Sequence, residues 1–155
     1  MPEGETKDES EENIVVFNLG KETYGLPITS IREIISYQEP TRLPGAPPEV
    51  EGIINLRGKV IPVVDLRSRL GLPSQPPTRT TRIIIAAGAG EITGLVVDQV
   101  TEVSKIISSN IEPPPALAKR GAAESVSQGV AKVGERLIVL LDLSPLMVQE
   151  ELSSV

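Results

Sequence analysis

The feature that most constrains the fold of this chain is an internal repeat of short apolar runs separated by turns. With an offset of 69 residues, Ile14–Ile35 aligns without gaps with Ile83–Ser104, and with an offset of 77, Gly52–Leu66 aligns with Gly129–Leu143. Identity between the aligned stretches is low, but runs, turns and apolar positions keep the same order. This repetition indicates two similar β modules, and a module of about 65 residues buries little surface alone. We therefore expect the two modules to pack as one cooperative unit.

Most of the predicted structure consists of β-hairpins, which are expected where two apolar runs flank a short turn. The predicted strand pairs are Ile14–Leu19 with Thr23–Leu26, Val50–Leu56 with Lys59–Asp65, Arg82–Ala87 with Glu91–Ile107, and Val126–Val133 with Arg136–Asp142. Gly94 is expected to form a β-bulge within its strand. The pattern predicts about ten short strands in total.

Little helix is predicted. Leu66–Leu70 fits one short helical turn capped by Asp65. The isoleucines between Ile28 and Ile35 fit either one or two helical turns or an irregular strand. Residues 116–124 are expected to form one loose helix and Leu143–Leu152 a C-terminal helix.

The composition excludes most enzyme chemistry. The chain has no histidine and no cysteine, so it lacks Ser-His and Cys-His relays, disulfides and the usual structural zinc ligands. Three aspartates at similar strand ends, Asp65, Asp98 and Asp142, could hold Mg²⁺ or Ca²⁺ if they converged. Aspartate at such positions more often caps the following turn, which is the interpretation we favour. We expect no catalytic residue, metal or cofactor.

The net charge of −6 is concentrated at the N-terminus, where residues 1–12 carry six acids and one base, a net of −5. We expect this tail to be disordered, followed by one domain over 13–155 that comprises modules of roughly 13–78 and 79–148. Whether strands are exchanged between the modules is left open.

The rest of the chain is nearly neutral, has no basic run and contains three aromatic residues. These properties argue against nucleic-acid binding. No apolar run approaches the roughly 20 residues of a membrane-spanning helix, and the N-terminus lacks a secretion signal. We expect a cytoplasmic protein with no direct membrane insertion.

Arg57 lies at the tip of the second predicted hairpin, immediately before Gly58. A tight turn requires the glycine, which adopts positive φ readily, but it does not require an arginine. The guanidinium is therefore either solvated or presented to a partner, whose carboxylates it could pair bidentately. The residues alone do not choose between these alternatives.

The hairpin Glu51–Leu66 resembles the signature hairpin of the CheW family of bacterial chemotaxis coupling proteins. Further similar segments are Phe17–Gly25, Ile31–Ile34, Gly94–Val100 and Gly134–Asp142. The resemblance thus covers residues 14 to about 148, which is nearly the whole chain. Two proline-rich loops and the acidic tail depart from the family pattern.

The resemblance implies an all-β fold of two packed SH3-like five-stranded barrels, with short helices that include one at the C-terminus. It also implies a non-catalytic adaptor that bridges the cytoplasmic tip of methyl-accepting chemoreceptors to the regulatory domain of the histidine autokinase CheA. Such an adaptor would be recruited to membrane-associated receptor arrays. An alternative is a related module that serves another signalling pathway.

The resemblance also implies a set of receptor-binding residues. Carried over by motif position, they are Ile31, Glu33, Gly52, Arg57, Val100 and Val103. Pairing of Glu33 with Arg57 is expected to tie the hairpin tip to the preceding segment. No motif assigns the residues that contact the kinase.

Overall fold

The computed structural model describes residues 10–88, 90–113 and 127–148, and these form mainly β-strands. The strands are β1 (Glu11–Leu19), β2 (Glu22–Pro27), β3 (Ile31–Ser36), β4 (Val50–Leu56), β5 (Lys59–Asp65), β6 (Arg82–Gly88), β7 (Glu91–Val97), β8 (Gln99–Ile107), β9 (Ile111–Glu112), β10 (Ser127–Val133) and β11 (Arg136–Leu141). One short helix, α1, spans Leu66–Arg69. Three of the four predicted hairpins and the helical turn capped by Asp65 are confirmed. In the remaining hairpin, Arg82–Ala87 pairs with the run from Glu91 only as far as Val97, because the predicted run Glu91–Ile107 is divided at Asp98 into two strands of different sheets.

The strands form two sheets with related topology. One sheet has the order β8-β1-β2-β11-β10-β9, and the other has the order β3-β6-β7-β5-β4. The sequence repeat relates β1 to β6, β2 to β7, β3 to β8, β4 to β10 and β5 to β11. With these equivalences, the first five strands of the first sheet have the same order as the strands of the second. Each sheet therefore combines strands from both halves of the chain.

Each sheet is closed into a barrel by the chain that follows its edge strand. In the first, only the 3₁₀ turn Ser108–Asn110 separates the edge strands β8 and β9, which lie at opposite ends of the sheet order. In the second, Thr41, shortly after β3, pairs with Ile53 on β4 through two backbone hydrogen bonds of 2.8 Å. The prediction of two packed SH3-like barrels is confirmed.

Alternate residues of the central strands face different cores. On β1, Val16 packs inside the first barrel and Phe17 packs in a core shared by both barrels. On β6, Ile83 packs inside the second barrel and Ile84 in the shared core. Strands buried on both faces read as continuous apolar runs, which explains the uninterrupted runs in the sequence. The shared core joins the barrels into one unit.

Gly94 does not form the predicted bulge. It pairs in regular register with Ile85, and a Cβ at this position would lie 2.8 Å from the Cγ2 of Ile83. The glycine therefore serves close packing of the strand against a buried side chain, which is the other common reason for glycine within a strand.

The structure also corrects the predicted chain ends. Ser144–Leu146 forms a single 3₁₀ turn and Met147 is extended, so the predicted C-terminal helix is not present up to residue 148. Strand β1 begins at Glu11, within the segment expected to be a disordered tail. Residues 1–9, 149–152 and the predicted helix at 116–124 lie outside the described residues.

The segment from Ile28 is a 3₁₀ turn followed by β3, not a longer helix.

Candidate functional site

The predicted receptor-binding residues lie on two repeat-related edge strands and one hairpin. Ile31 on β3 and Val100 on β8 are equivalent in the repeat, and both pack at the margin of the core shared by the barrels. Val103, further along β8, pairs with Val15 and is 56% exposed. The two edge strands thus begin at the junction of the barrels, and their apolar side chains extend from it.

The expected pairing of Glu33 with Arg57 is present. Arg57 Nη2 donates to Glu33 Oε2, which joins β3 to the tip of the β4–β5 hairpin at the other end of the same sheet order. Arg57 has φ 51° and Gly58 has φ 87°, as a two-residue hairpin turn of type I′ requires. Asn55 Oδ1 accepts from Gly58 N at 2.8 Å and supports this turn. With 69% of its side chain exposed, Arg57 is both held by Glu33 and open to solvent.

A second ion pair occupies a similar place in the other barrel. Glu102 on β8 is the repeat equivalent of Glu33, and its Oε2 accepts from Arg136 Nη2 at 2.5 Å. Ser104 Oγ donates to the same oxygen at 2.5 Å. The hydrogen bond from Ser104, and then that from Arg136, lowers the pKa of Glu102. Each barrel therefore has an acidic side chain on its edge strand that binds an arginine of the opposite hairpin.

Gly52 contributes backbone conformation instead of a side chain. Its φ is 151°, and a Cβ would lie 2.1 Å from the carbonyl oxygen of Thr41. The repeat equivalent, Gly129, is approached in the same way, because its Cβ would lie 2.9 Å from Ile111 Cγ2 and 3.0 Å from the oxygen of Glu112. Both glycines allow the closing segment of a barrel to cross the hairpin closely.

The aspartates considered for metal binding serve separate turns. Asp65 caps α1 by accepting from Arg67 N at 3.2 Å, and it also accepts from Ser74 Oγ at 2.7 Å. Asp142 accepts from Ser144 N at 3.3 Å at the equivalent turn. Among residues 10–88, 90–113 and 127–148, no group of three acidic side chains is placed to hold a metal ion. The capping interpretation is confirmed for these two residues.

Sequence reasoning missed the partner of Asp98. The two carboxylate oxygens of Asp98 accept from Arg67 Nε at 2.9 Å and Arg67 Nη2 at 2.5 Å. The side chains are 15% and 32% exposed for Arg67 and Asp98, respectively, so this pair is less exposed than the Glu33–Arg57 pair. Because 31 residues separate the partners, no local pattern could have indicated the pair.

In the part of the chain that the structure describes, none of the helices has the length and apolar character needed to traverse a bilayer.

Comparison with known proteins identifies the family. The CheW-like domain matches residues 13–151. The chemotaxis protein CheW of Bacillus subtilis is 36% identical over 143 residues, which are 92% of this chain and 91% of that protein. CheW of Klebsiella aerogenes is 32% identical over 144 residues, 93% of this chain and 86% of that protein. The crystal structure of the scaffolding protein TtCheW from Thermoanaerobacter tengcongensis matches with a TM-score of 0.80 and 40% identity, covering 86% of this chain and 90% of that one. The chain therefore belongs to the CheW family.

Proposed function

We propose that this protein is a non-catalytic adaptor that couples transmembrane chemoreceptors to the histidine autokinase CheA in bacterial chemotaxis. The observation that carries the proposal is the Glu33–Arg57 pair, which holds an exposed arginine at the tip of the family's signature hairpin. Support comes from the relatives, which are chemotaxis proteins and a scaffolding protein by name.

The receptor would bind at a surface that we call the receptor face, formed by Ile31, Glu33, Arg57, Val100 and Val103. This surface combines aliphatic side chains of two edge strands with an exposed guanidinium. An amphipathic helical hairpin, such as a receptor tip, offers the complementary apolar stripe and polar flanks. Gly52 would act through the backbone of the hairpin instead of through direct contact.

The kinase would bind elsewhere, so that one adaptor can contact both partners at once. The part of the kinase that the adaptor would contact is the CheA regulatory domain. The residues of this chain that make that contact are unassigned. The adaptor would act in the cytoplasm at membrane-associated receptor arrays, without a cofactor. Repetition of weak contacts in an array would raise the overall affinity through multivalency.

The proposal is tested by titration calorimetry of the protein against a receptor cytoplasmic fragment and against a CheA regulatory domain. We expect the wild type to bind both. Arg57→Ala and Glu33→Ala should each weaken receptor binding by about tenfold, because an exposed charge-assisted contact is lost or misplaced. Kinase affinity should change less than about twofold, since a surface pair adds little to folding stability.

The matched control is Lys132→Ala. Lys132 on β10 forms a 2.8 Å ion pair with Glu112, with both side chains more than half exposed, and it is outside the receptor face. If this variant lost as much receptor affinity as Arg57→Ala and Glu33→Ala, the receptor face would be assigned to the wrong surface. Folded wild-type protein that binds neither partner would contradict the coupling role and favour an adaptor in another pathway.

A further inference from the structure

The chain passes from the second barrel into the first through one residue. Asp98 is the only position between β7, in the five-stranded sheet, and β8, in the six-stranded sheet. Two and five residues later, β8 presents Val100 and Val103 on the receptor face. The geometry at Asp98 therefore sets where this half of the receptor face begins.

Asp98 is held by hydrogen bonds from three separate parts of the chain. Its carboxylate accepts from both Nε and Nη2 of Arg67 and from the backbone N–H of Gly20 at 2.7 Å. Its own backbone N–H donates to Asn18 O at 3.1 Å, and its carbonyl oxygen accepts from Thr80 Oγ1 at 3.0 Å. Bidentate charge-assisted bonds of this kind restrict orientation as well as distance.

Arg67 is fixed in turn by its own surroundings. It lies on α1, and Arg67 Nη1 donates to the carbonyl oxygen of Pro73 at 3.1 Å. The backbone N–H of Arg67 donates to Asp65, which anchors the start of the helix. All three guanidinium nitrogens thus bind acceptors, and the side chain can hold Asp98 in one orientation.

Within the described part of the chain, the other crossing between the barrels has no such contact. There the chain passes from β2 to β3 through the 3₁₀ turn Ile28–Ser30. The repeat places Thr29 at the position of Asp98 and Ser144 at the position of Arg67. Neither residue can form an ion pair, so the two crossings are chemically different although the topology is the same.

We propose that Arg67 is a positioning residue for receptor binding, which acts by clamping Asp98 and so fixing the start of β8. The clamp places Val100 and Val103 relative to the hairpin that carries Arg57, without itself contacting the receptor. This inference rests on the proposed function and adds to it a role for a partly buried pair outside the receptor face.

The test compares Arg67→Ala, Asp98→Asn and the double variant with the wild type. Calorimetry measures affinity for a receptor cytoplasmic fragment and for a CheA regulatory domain. Hydrogen exchange measures the exchange rates of the backbone amides in β8 and β3. We expect Arg67→Ala to weaken receptor binding about fivefold, with kinase affinity within about twofold. Exchange should accelerate at residues 99–103 and remain unchanged in β3. The double variant should bind the receptor no more weakly than Arg67→Ala does, because both substitutions remove the same Arg67–Asp98 ion pair.

Arg69→Ala is the matched control, since Arg69 lies on the same helix but donates to Pro145 O at 3.1 Å instead of to the crossing. Unchanged receptor affinity in Arg67→Ala, an equal loss for both partners, or the same effect in Arg69→Ala would overturn the proposal. Asp98→Asn keeps an oxygen that can accept from Gly20 N, and it provides the same test if Arg67→Ala does not fold. Wild-type protein that binds no receptor would instead overturn the proposed function, while unaltered exchange in β8 would overturn the clamp.

Discussion

Gly52 and Gly129 occupy equivalent positions where a closing segment crosses a hairpin. The steric conflict that an added Cβ would meet is more severe at Gly52 than at Gly129. At Gly52, φ is positive and the nearest obstacle to a Cβ is a backbone carbonyl oxygen at 2.1 Å. That carbonyl cannot move away, because it accepts from Ile53 N in the bridge that closes the barrel. At Gly129, the obstacles lie near 3 Å and one of them is a side-chain methyl group of Ile111. A small shift can relieve this second contact.

We therefore expect Gly52→Ala to lower the free energy of unfolding by about 3 kcal/mol, through backbone strain and loss of the closing bridge. Gly129→Ala should cost about 1 kcal/mol, the lower end of the range for overpacking. Urea unfolding of both variants, followed by circular dichroism, measures the difference. Equal costs for the two variants would contradict the role assigned to the positive φ and to the Thr41 carbonyl.

The sequence predicts the role of a residue when that role depends on its neighbours in the chain. It does not predict roles that depend on partners far away in sequence. The cap by Asp65 depends on the next few residues, and the pattern indicates it correctly. The role of Gly94 depends on Ile83 in the neighbouring strand, and that of Asp98 depends on a helix 31 residues away. The pairing of Glu33 with Arg57 was predictable only through the family resemblance.

The same distinction holds at the scale of elements. Hairpins such as β4–β5 were predicted because both strands and the turn are contiguous. The parallel pairings β2–β11 and β5–β7 join strands far apart in sequence, and no local signal specifies them. The order of strands in the two sheets could be recognised from the repeat only once one sheet was known.

Because Arg67 of α1 binds Asp98 at the start of β8, we expect the free energy of unfolding to depend on pH. The hydrogen bonds from Arg67 lower the pKa of Asp98 from its ordinary value of 3.8, against the opposing effect of burial, and the Gly20 N–H adds to the lowering. A group with a lower pKa in the folded state stabilises the fold above its unfolded pKa. That contribution is lost as the pH falls through the folded value.

Urea unfolding of the wild type and Asp98→Asn at a series of pH values isolates this contribution. We expect the wild type to be more stable by a constant amount from neutral pH to about pH 5, and the difference to shrink below about pH 4. Other carboxylates titrate in both proteins and cancel in the difference. A difference that persists unchanged at pH 3 would contradict the assigned cause.

At the scale of the whole molecule, four of the nine strand pairings among the described residues join one half of the chain to the other. The pairings within a half are the local hairpins and the short β9–β10 ladder. The pairings β1–β8, β2–β11, β3–β6 and β5–β7 all cross between the halves. The shared core likewise takes side chains from both sheets. A half alone would keep hairpins but neither closed barrel, and isolated hairpins are at best marginally stable in water.

Fragments 1–78 and 79–155 should therefore lack cooperative structure when separate and regain the native circular dichroism spectrum when mixed. The intact chain should unfold in one transition that is the same by circular dichroism and by hydrogen exchange, as a single cooperative unit requires. Two separate transitions, or a folded fragment, would show that one barrel is stable without the strands of the other half. Because one strand of the receptor face lies in each fragment, receptor binding should return only with the mixture, and this would connect cooperative folding to the proposed function.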